Sequence, residues 1–129
     1  MMTLDPDLQS IQEVRNCLAQ AKEAQKALEK MSQSQIDAIV RSMAAAAEEE
    51  AERLGRMASE ETGFGIPADK KRKNLFVARQ VYGAIKDMKT VGIIRRDEQA
   101  KVWEVAQPVG VVAGILPSTN PTSTAIFKS

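Results

Sequence analysis

Residues 109–116 form an almost wholly apolar run that stands directly before a turn and a proline. A run of this length and composition is typical of a strand that is buried on both faces of a parallel sheet. Residues 117–120 predict the turn, and Pro121 suits the first position of a new helix with Asn120 as its N-cap. A buried parallel strand needs parallel neighbours and a helix on each face. The chain offers one such strand and the start of one such helix, so we expect a truncated α/β domain.

The first ninety residues show the helical period instead. Over residues 7–31 apolar side chains recur at three- and four-residue spacings, which predicts an amphipathic helix. We expect a second helix from Ser32 to about Gly63 and a third over residues 68–88. The predicted inward faces are Ile36, Ile39, Val40, Met43, Ala47, Leu54 and Met57 in the second helix, and Leu75, Ala78, Tyr82, Ile85 and Met88 in the third.

The period changes from about 3.6 to about 2 near Thr90. Residues 91–96 and 101–106 are β-branched runs on either side of three polar residues, and together they predict a hairpin. The chain therefore divides into a helical segment at 1–90, a β-hairpin at 91–107, and a strand, turn and helix at 108–129.

Composition excludes several classes of function. The 18 basic and 17 acidic residues give a net charge of +1, so we expect neither a nucleic-acid partner nor an anionic membrane partner. No apolar run approaches the roughly 20 residues that a membrane span needs. The single cysteine, Cys17, excludes an internal disulfide and suits the cytoplasm. The chain has no histidine, the commonest metal ligand, and we expect no metal site.

Short polar side chains crowd the predicted turn. In α/β sheets, ligands bind outside the carboxyl ends of strands, and the free N–H groups at a helix start favour negative charge. The glycine-rich dinucleotide fingerprint is absent, because Gly110 and Gly114 lie within the predicted strand. The residues alone leave two interpretations open, a ligand site or an ordinary capped turn. The polar residues concerned are Ser118, Thr119, Asn120, Thr122 and Ser123.

The same segment resembles a known family. Residues 107–129, with the block Asn-Pro-Thr-Ser-Thr at 120–124, resemble the coenzyme-A-acylating aldehyde dehydrogenases. The resemblance is greatest to the aldehyde dehydrogenase half of bifunctional aldehyde-alcohol dehydrogenases, and a monofunctional acylating acetaldehyde dehydrogenase is the alternative. Residues 60–65, followed by Asp69-Lys70 and Lys73-Asn74, resemble a helix-to-helix junction of that family. The similarity runs from about residue 25 to residue 129. The block at 120–124 is typical of the acylating branch, whereas the hydrolytic branch carries Trp-Asn in this turn.

The resemblance implies an aldehyde dehydrogenase-like fold in which residues 108–129 begin a Rossmann-type NAD-binding domain. It implies a cytoplasmic homo-oligomer that oxidises a short aldehyde with NAD through a cysteine thioester, after which coenzyme A takes the acyl group. By resemblance, the main chain of the turn lines the cofactor, and counting from Pro117 places Thr119 at the family's oxyanion-donor position, with Asn120 next to it as the second candidate. The residues implied to contact the cofactor are Ile115, Leu116, Pro117, Ser118 and Thr119.

Parts of the family's machinery are missing from these 129 residues. The nucleophilic cysteine of the family lies far beyond this turn, and we expect Cys17 to be a small core residue of the first helix instead. The basic run at 70–73 is expected to be solvated rather than to bind a coenzyme A phosphate. We therefore expect the chain alone to be inactive. The alternatives are a truncated, non-catalytic helical module for interaction or assembly, and a first helix that targets a microcompartment.

Overall fold

The computed structural model describes residues 5–129. Helices come first, a two-stranded hairpin follows, and a short helix comes last, which confirms the predicted α/β class. One compact unit contains α1, β1 and β2, and a second contains α2 to α6. The elements are α1 (Pro6–Leu28), α2 (Gln33–Glu49), α3 (Ala51–Thr62), α4 (Pro67–Leu75), a π-helical segment (Phe76–Val81), α5 (Tyr82–Ile85), β1 (Gly92–Asp97), β2 (Val102–Ala106) and α6 (Pro121–Lys128).

Helix α1 forms where the periodicity predicts it. Proline at its first position and Asp7 in its first turn both favour a helix start. None of its residues is buried, however, and Cys17 is exposed. The expectation that Cys17 is a core residue is therefore wrong, because periodicity marks an apolar face but only a second packed layer buries it.

The hairpin confirms the change of period. Strands β1 and β2 pair antiparallel, from Gly92 opposite Ala106 to Asp97 opposite Val102, with an irregularity in β1 after Ile93. At the turn, the Asp97 carboxylate accepts a hydrogen bond of 2.8 Å from the main-chain N–H of Ala100. These two strands form the one sheet in the part of the chain that the structure describes.

The second predicted helix is two helices, since α2 ends at Glu49 and α3 begins at Ala51. The interruption changes the buried face of the second half, where Met57 is 45% exposed. The buried residues of α3 are the small ones, Ala51, Gly55 and Ala58, instead of the predicted Leu54 and Met57. A Cβ atom on Gly55 would lie 2.7 Å from the main-chain nitrogen of Lys71. Small side chains are buried here because α3 and α4 pack almost backbone to backbone.

The third predicted helix is the continuous run of α4, the π-helical segment and α5. Its buried residues are Lys70, Asn74 and Ala78, each four residues from the next and therefore on one face. Ala78 is buried as predicted. Met88 and Ile85 are exposed, since the helix ends at Ile85. Two polar residues that the apolar pattern did not place inward, Lys70 and Asn74, are thus buried.

Residues 109–116 do not form the predicted strand. Among residues 5–129 no strand lies beside them, and Val109 is 91% exposed. A strand exists only where neighbouring main chains exchange hydrogen bonds, so an apolar run without a neighbour remains an unpaired segment. Helix α6 begins at Pro121, as predicted. Within the described residues, no helix is both long and apolar enough to cross a membrane.

Candidate functional site

The turn before α6 is held by its own main chain and by a lysine. The N–H of Asn120 donates to the carbonyl oxygen of Pro117 at 3.3 Å, which closes the turn. Asn120 occupies the N-cap position, but its side chain makes no capping hydrogen bond. Its Oδ1 instead accepts a hydrogen bond of 2.8 Å from Nζ of Lys73. The predicted cap is therefore right in position and wrong in the side-chain contact, because the ammonium group is the stronger donor.

Lys70 reaches the same turn from inside the protein. Its Nζ donates a hydrogen bond to the main-chain carbonyl of Thr119, and the residue is 4% exposed. The expectation of a solvated basic run is wrong for Lys70, whereas Arg72 and Lys73 are exposed. Gly65 makes room for the lysine stem, since a Cβ there would lie 3.2 Å from Cε of Lys70.

Asn74 joins three helices at one buried point. It is 0% exposed; its Nδ2 donates to the carbonyl oxygen of Ala51 in α3 at 3.0 Å. Its Oδ1 accepts a hydrogen bond of 2.9 Å from the hydroxyl of Thr122 in α6. Sequence reasoning missed the roles of Lys70 and Asn74, although their four-residue spacing places both on the face that also carries Ala78. This spacing was the one sequence pattern that could have indicated the burial of Lys70 and Asn74.

The turn borders an open cleft of about 890 Å³ between α4 and α6. Both candidate donors, Thr119 and Asn120, line it. Three cationic side chains and one carboxylate reach its walls, so its charge is positive. The complete lining is Phe64, Gly65, Ile66, Asp69, Lys70, Arg72, Lys73, Phe76, Val77, Thr119, Asn120, Ser123, Thr124 and Phe127.

The other residues implied to contact the cofactor lie just outside this cleft. Ile115 is 86% exposed, and its carbonyl oxygen accepts a hydrogen bond of 3.0 Å from Nζ of Lys128. Leu116, Pro117 and Ser118 are also exposed. Exposed residues, one of them the hydroxyl-bearing Ser118, beside a cationic cleft fit the anionic and hydroxyl-rich part of a dinucleotide. Among residues 5–129, no cluster of three or more His, Cys, Asp or Glu side chains is arranged to hold a metal ion.

Comparison with known proteins decides the family. The model of the aldehyde dehydrogenase family matches residues 6–129. The chain belongs to the aldehyde dehydrogenase family. Its relatives include the bifunctional aldehyde-alcohol dehydrogenase AdhE of Escherichia coli strain K12, which is 41% identical over 120 residues. The succinate-semialdehyde dehydrogenase (acetylating) of Clostridium kluyveri is 39% identical over 116 residues.

A solved aldehyde dehydrogenase structure is similar over almost the whole chain. The acetylating aldehyde dehydrogenase of Geobacillus thermoglucosidasius superposes with a TM-score of 0.95 at 71% identity over 98% of this chain. These similarities confirm the resemblance to the acylating enzymes. The match to the Escherichia coli protein includes 93% of this chain but only 14% of that protein. The match to the Clostridium protein includes 90% of this chain and 26% of that protein. The chain spans 28% of the Geobacillus chain.

Proposed function

We propose that this chain supplies the cofactor-facing turn of an NAD-dependent, coenzyme-A-acylating aldehyde dehydrogenase. That enzyme would convert a short aldehyde, NAD and coenzyme A into acyl-coenzyme A and NADH through a cysteine thioester. The observation that carries the proposal is the turn itself, which two lysines of α4 hold at the edge of a cationic cleft. Relatives named as acylating or acetylating enzymes, one of them 71% identical, support the same reaction class.

The turn is proposed to hold and orient the cofactor. When bound, NAD supplies the acceptor for the hydride. The exposed main chain of residues 115–119 would hold the ribose and nicotinamide end of that cofactor, and the positive charge of the cleft favours its anionic part. Cys17 has no part in the proposed chemistry, because it lies on α1 and outside this cleft.

The donor to the developing oxyanion is proposed to be Asn120 or Thr119. Position in the turn favours Thr119, whereas side-chain geometry favours Asn120. A lysine ammonium only donates, so Lys73 must face the oxygen of the Asn120 amide, which leaves the amide N–H₂ pointing elsewhere as a donor. Preorganised donors of this kind stabilise the transition state without reorganisation during the reaction.

A chimaeric enzyme tests the proposed reaction. In it, residues 1–129 replace the matching segment of the Geobacillus acetylating aldehyde dehydrogenase. We expect NADH formation that requires both acetaldehyde and coenzyme A, at a rate within about tenfold of the parent enzyme, since most residues are shared. The isolated 129-residue chain should show none. A folded chimaera without turnover would contradict the proposal and favour the non-catalytic assembly module.

The same chimaera separates the two candidate donors. Removal of one oxyanion donor lowers turnover by roughly 100- to 1,000-fold in well-studied enzymes. Asn120→Ala and Thr119→Val are compared for kcat and for thermal midpoint. The donor is the residue whose loss lowers kcat at an unchanged midpoint. If neither variant lowers kcat by more than about tenfold, the turn does not serve the oxyanion.

A further inference from the structure

We propose that Lys70 is a positioning residue that fixes the orientation of the Thr119–Asn120 peptide. Its buried ammonium group holds the Thr119 carbonyl, and that contact aims the donor of the turn at the cleft. The inference rests on the proposed function for its effect on catalysis. Its structural part stands on the contact alone and is tested separately.

The surroundings of Lys70 are unusual for a charged side chain. It is 4% exposed, and its hydrogen bond in the described part of the chain is to a neutral carbonyl. The carboxylate of its neighbour Asp69 pairs with Arg72 instead, at 3.8 Å. Burial removes water from the ammonium group without a carboxylate to replace it, which is unfavourable compared with an apolar side chain of similar size. Stability therefore does not account for a lysine at this position, whereas control of the carbonyl does.

A hydrogen bond to one carbonyl group fixes the orientation of the whole peptide unit. The peptide unit is planar and trans, so its C=O and N–H groups point in opposite directions. In the Thr119–Asn120 peptide, the oxygen faces Lys70 and the N–H faces the carbonyl oxygen of Pro117. Both ends of the plane are thereby held. The side chains on either side of this peptide are the two candidate donors, and holding its plane restricts the two dihedral angles that adjoin it, ψ of Thr119 and φ of Asn120.

The packing of α3 against α4 holds the main chain of Lys70 in place. Gly55 allows the two helices to approach closely, and Asn74, one turn after Lys70, links α3 to Thr122 of α6. The helix that carries Lys70 is therefore anchored on both sides. Preorganisation of this kind matters because displacement of a reacting group by about 1 Å can lower turnover about 100-fold.

Amide hydrogen exchange in the 129-residue chain tests the structural part. Lys70→Met keeps the length of the side chain but removes the charge and the donor. We expect the Asn120 amide to exchange at least about tenfold faster in this variant, while amides of α2 keep their rates. Lys71→Met is the matched control, because Lys71 pairs with Glu52 and lies outside the cleft. Unchanged exchange at Asn120 in Lys70→Met overturns the proposal.

Steady-state kinetics of the chimaera test the catalytic part. We expect Lys70→Met to lower kcat by about 100-fold at an unchanged or raised thermal midpoint, and Lys71→Met to stay within about twofold. Lys70→Arg keeps a charged donor and should recover part of the lost kcat. Full kcat in Lys70→Met, or a loss that follows a lowered midpoint, overturns the positioning role. An inactive wild-type chimaera refutes the proposed function instead. The hydrogen-exchange result alone then tests whether Lys70 holds the Thr119 carbonyl.

Discussion

The unit that contains α2 to α6 and the unit that contains α1 and the hairpin differ in what they bury, although both expose large apolar side chains. In the first, the most deeply buried residues are small or polar, with Gly55 and Asn74 at the crossing of α3 and α4. In the second, large apolar side chains such as Leu8 and Leu18 stay exposed on α1, and no residue of that helix is buried. Hydrophobicity alone would predict large apolar side chains, rather than small and polar ones, at the buried positions.

The difference shows that close approach of main chains, rather than apolar area, organises the helical unit. Where two helices nearly touch, only glycine or a small side chain fits between them. Buried polar groups are tolerated there because each has a hydrogen-bond partner. In the described residues, every buried side-chain nitrogen or oxygen has a hydrogen-bond partner. The contrast makes four predictions for the 129-residue chain.

The largest effect is expected at Asn74. Asn74→Ala removes one buried and one partly buried hydrogen bond, leaves the Thr122 hydroxyl without its acceptor and opens a small cavity. We expect the free energy of unfolding to fall by about 3 kcal/mol in urea titrations. Gln80→Ala, at an exposed position of the same helical run, is the control and should change it by less than about 0.5 kcal/mol. Equal effects would contradict the buried junction at Asn74.

A smaller loss is expected at Gly55. A Cβ atom in Gly55→Ala would meet Lys71 and Pro67 main-chain atoms at 2.7 and 3.1 Å, so α3 and α4 must separate. We expect a destabilisation of about 2 kcal/mol, although alanine is the better helix former. Gly83→Ala in α5 meets nothing within 4 Å and should stabilise by about 0.5 kcal/mol. If both variants stabilise the chain, α3 and α4 do not approach each other as closely at Gly55 as described.

Little change is expected on α1. The double variant Leu8→Gln with Leu18→Gln replaces two exposed side chains by residues of similar helix propensity. We expect the free energy of unfolding to change by about 0.5 kcal/mol or less. Thermal and urea unfolding measure it. A loss above about 2 kcal/mol would mean that the apolar face of α1 is covered in solution, and sedimentation would then show whether a second copy covers it.

The smallest effect concerns the ion pair between α3 and α4. Lys71, which donates a hydrogen bond of 2.6 Å to Glu52, lowers the pKa of that carboxyl below its ordinary value of 4.5. A lowered folded-state pKa stabilises the fold above pH 4.5, and this contribution is lost as pH falls through the folded pKa. Glu52→Gln should therefore lower the thermal midpoint slightly at pH 7, and this difference should shrink as the pH falls below 4.5. A difference that persists at low pH would contradict the pair.

Element types were predictable here because the periods are clear. The switch near Thr90 located the hairpin, and Pro121 located the start of α6. The interruption at Glu50 was not predictable, since no glycine or proline marks it and both flanking segments favour a helix. The strand at 109–116 was predicted from composition, but its formation depends on neighbouring main chain that residues 5–129 do not place beside it.

The candidate site was predictable only in part. Thr119 and Asn120 were found because polar residues cluster at a strand-to-helix turn, and both line the cleft. Lys70 and Asn74 were missed because a lysine and an asparagine in an exposed-looking basic run are ordinarily solvated. Their burial follows from Gly55 and Gly65, which act through space rather than through local sequence.

The four-residue interval between Lys70 and Asn74 also limits how this chain can change in length. The two anchors lie about 6 Å apart along α4, and one inserted residue would rotate the second by about 100° around the axis. Either the Thr119 contact or the Ala51 and Thr122 contacts would then be lost. The hairpin turn at 98–101 is held by a local contact instead, the hydrogen bond from Ala100 to Asp97. We therefore expect insertions and deletions among homologues to collect at the hairpin, while the interval 70–74 keeps its length and serves as a reference point for aligning distant sequences.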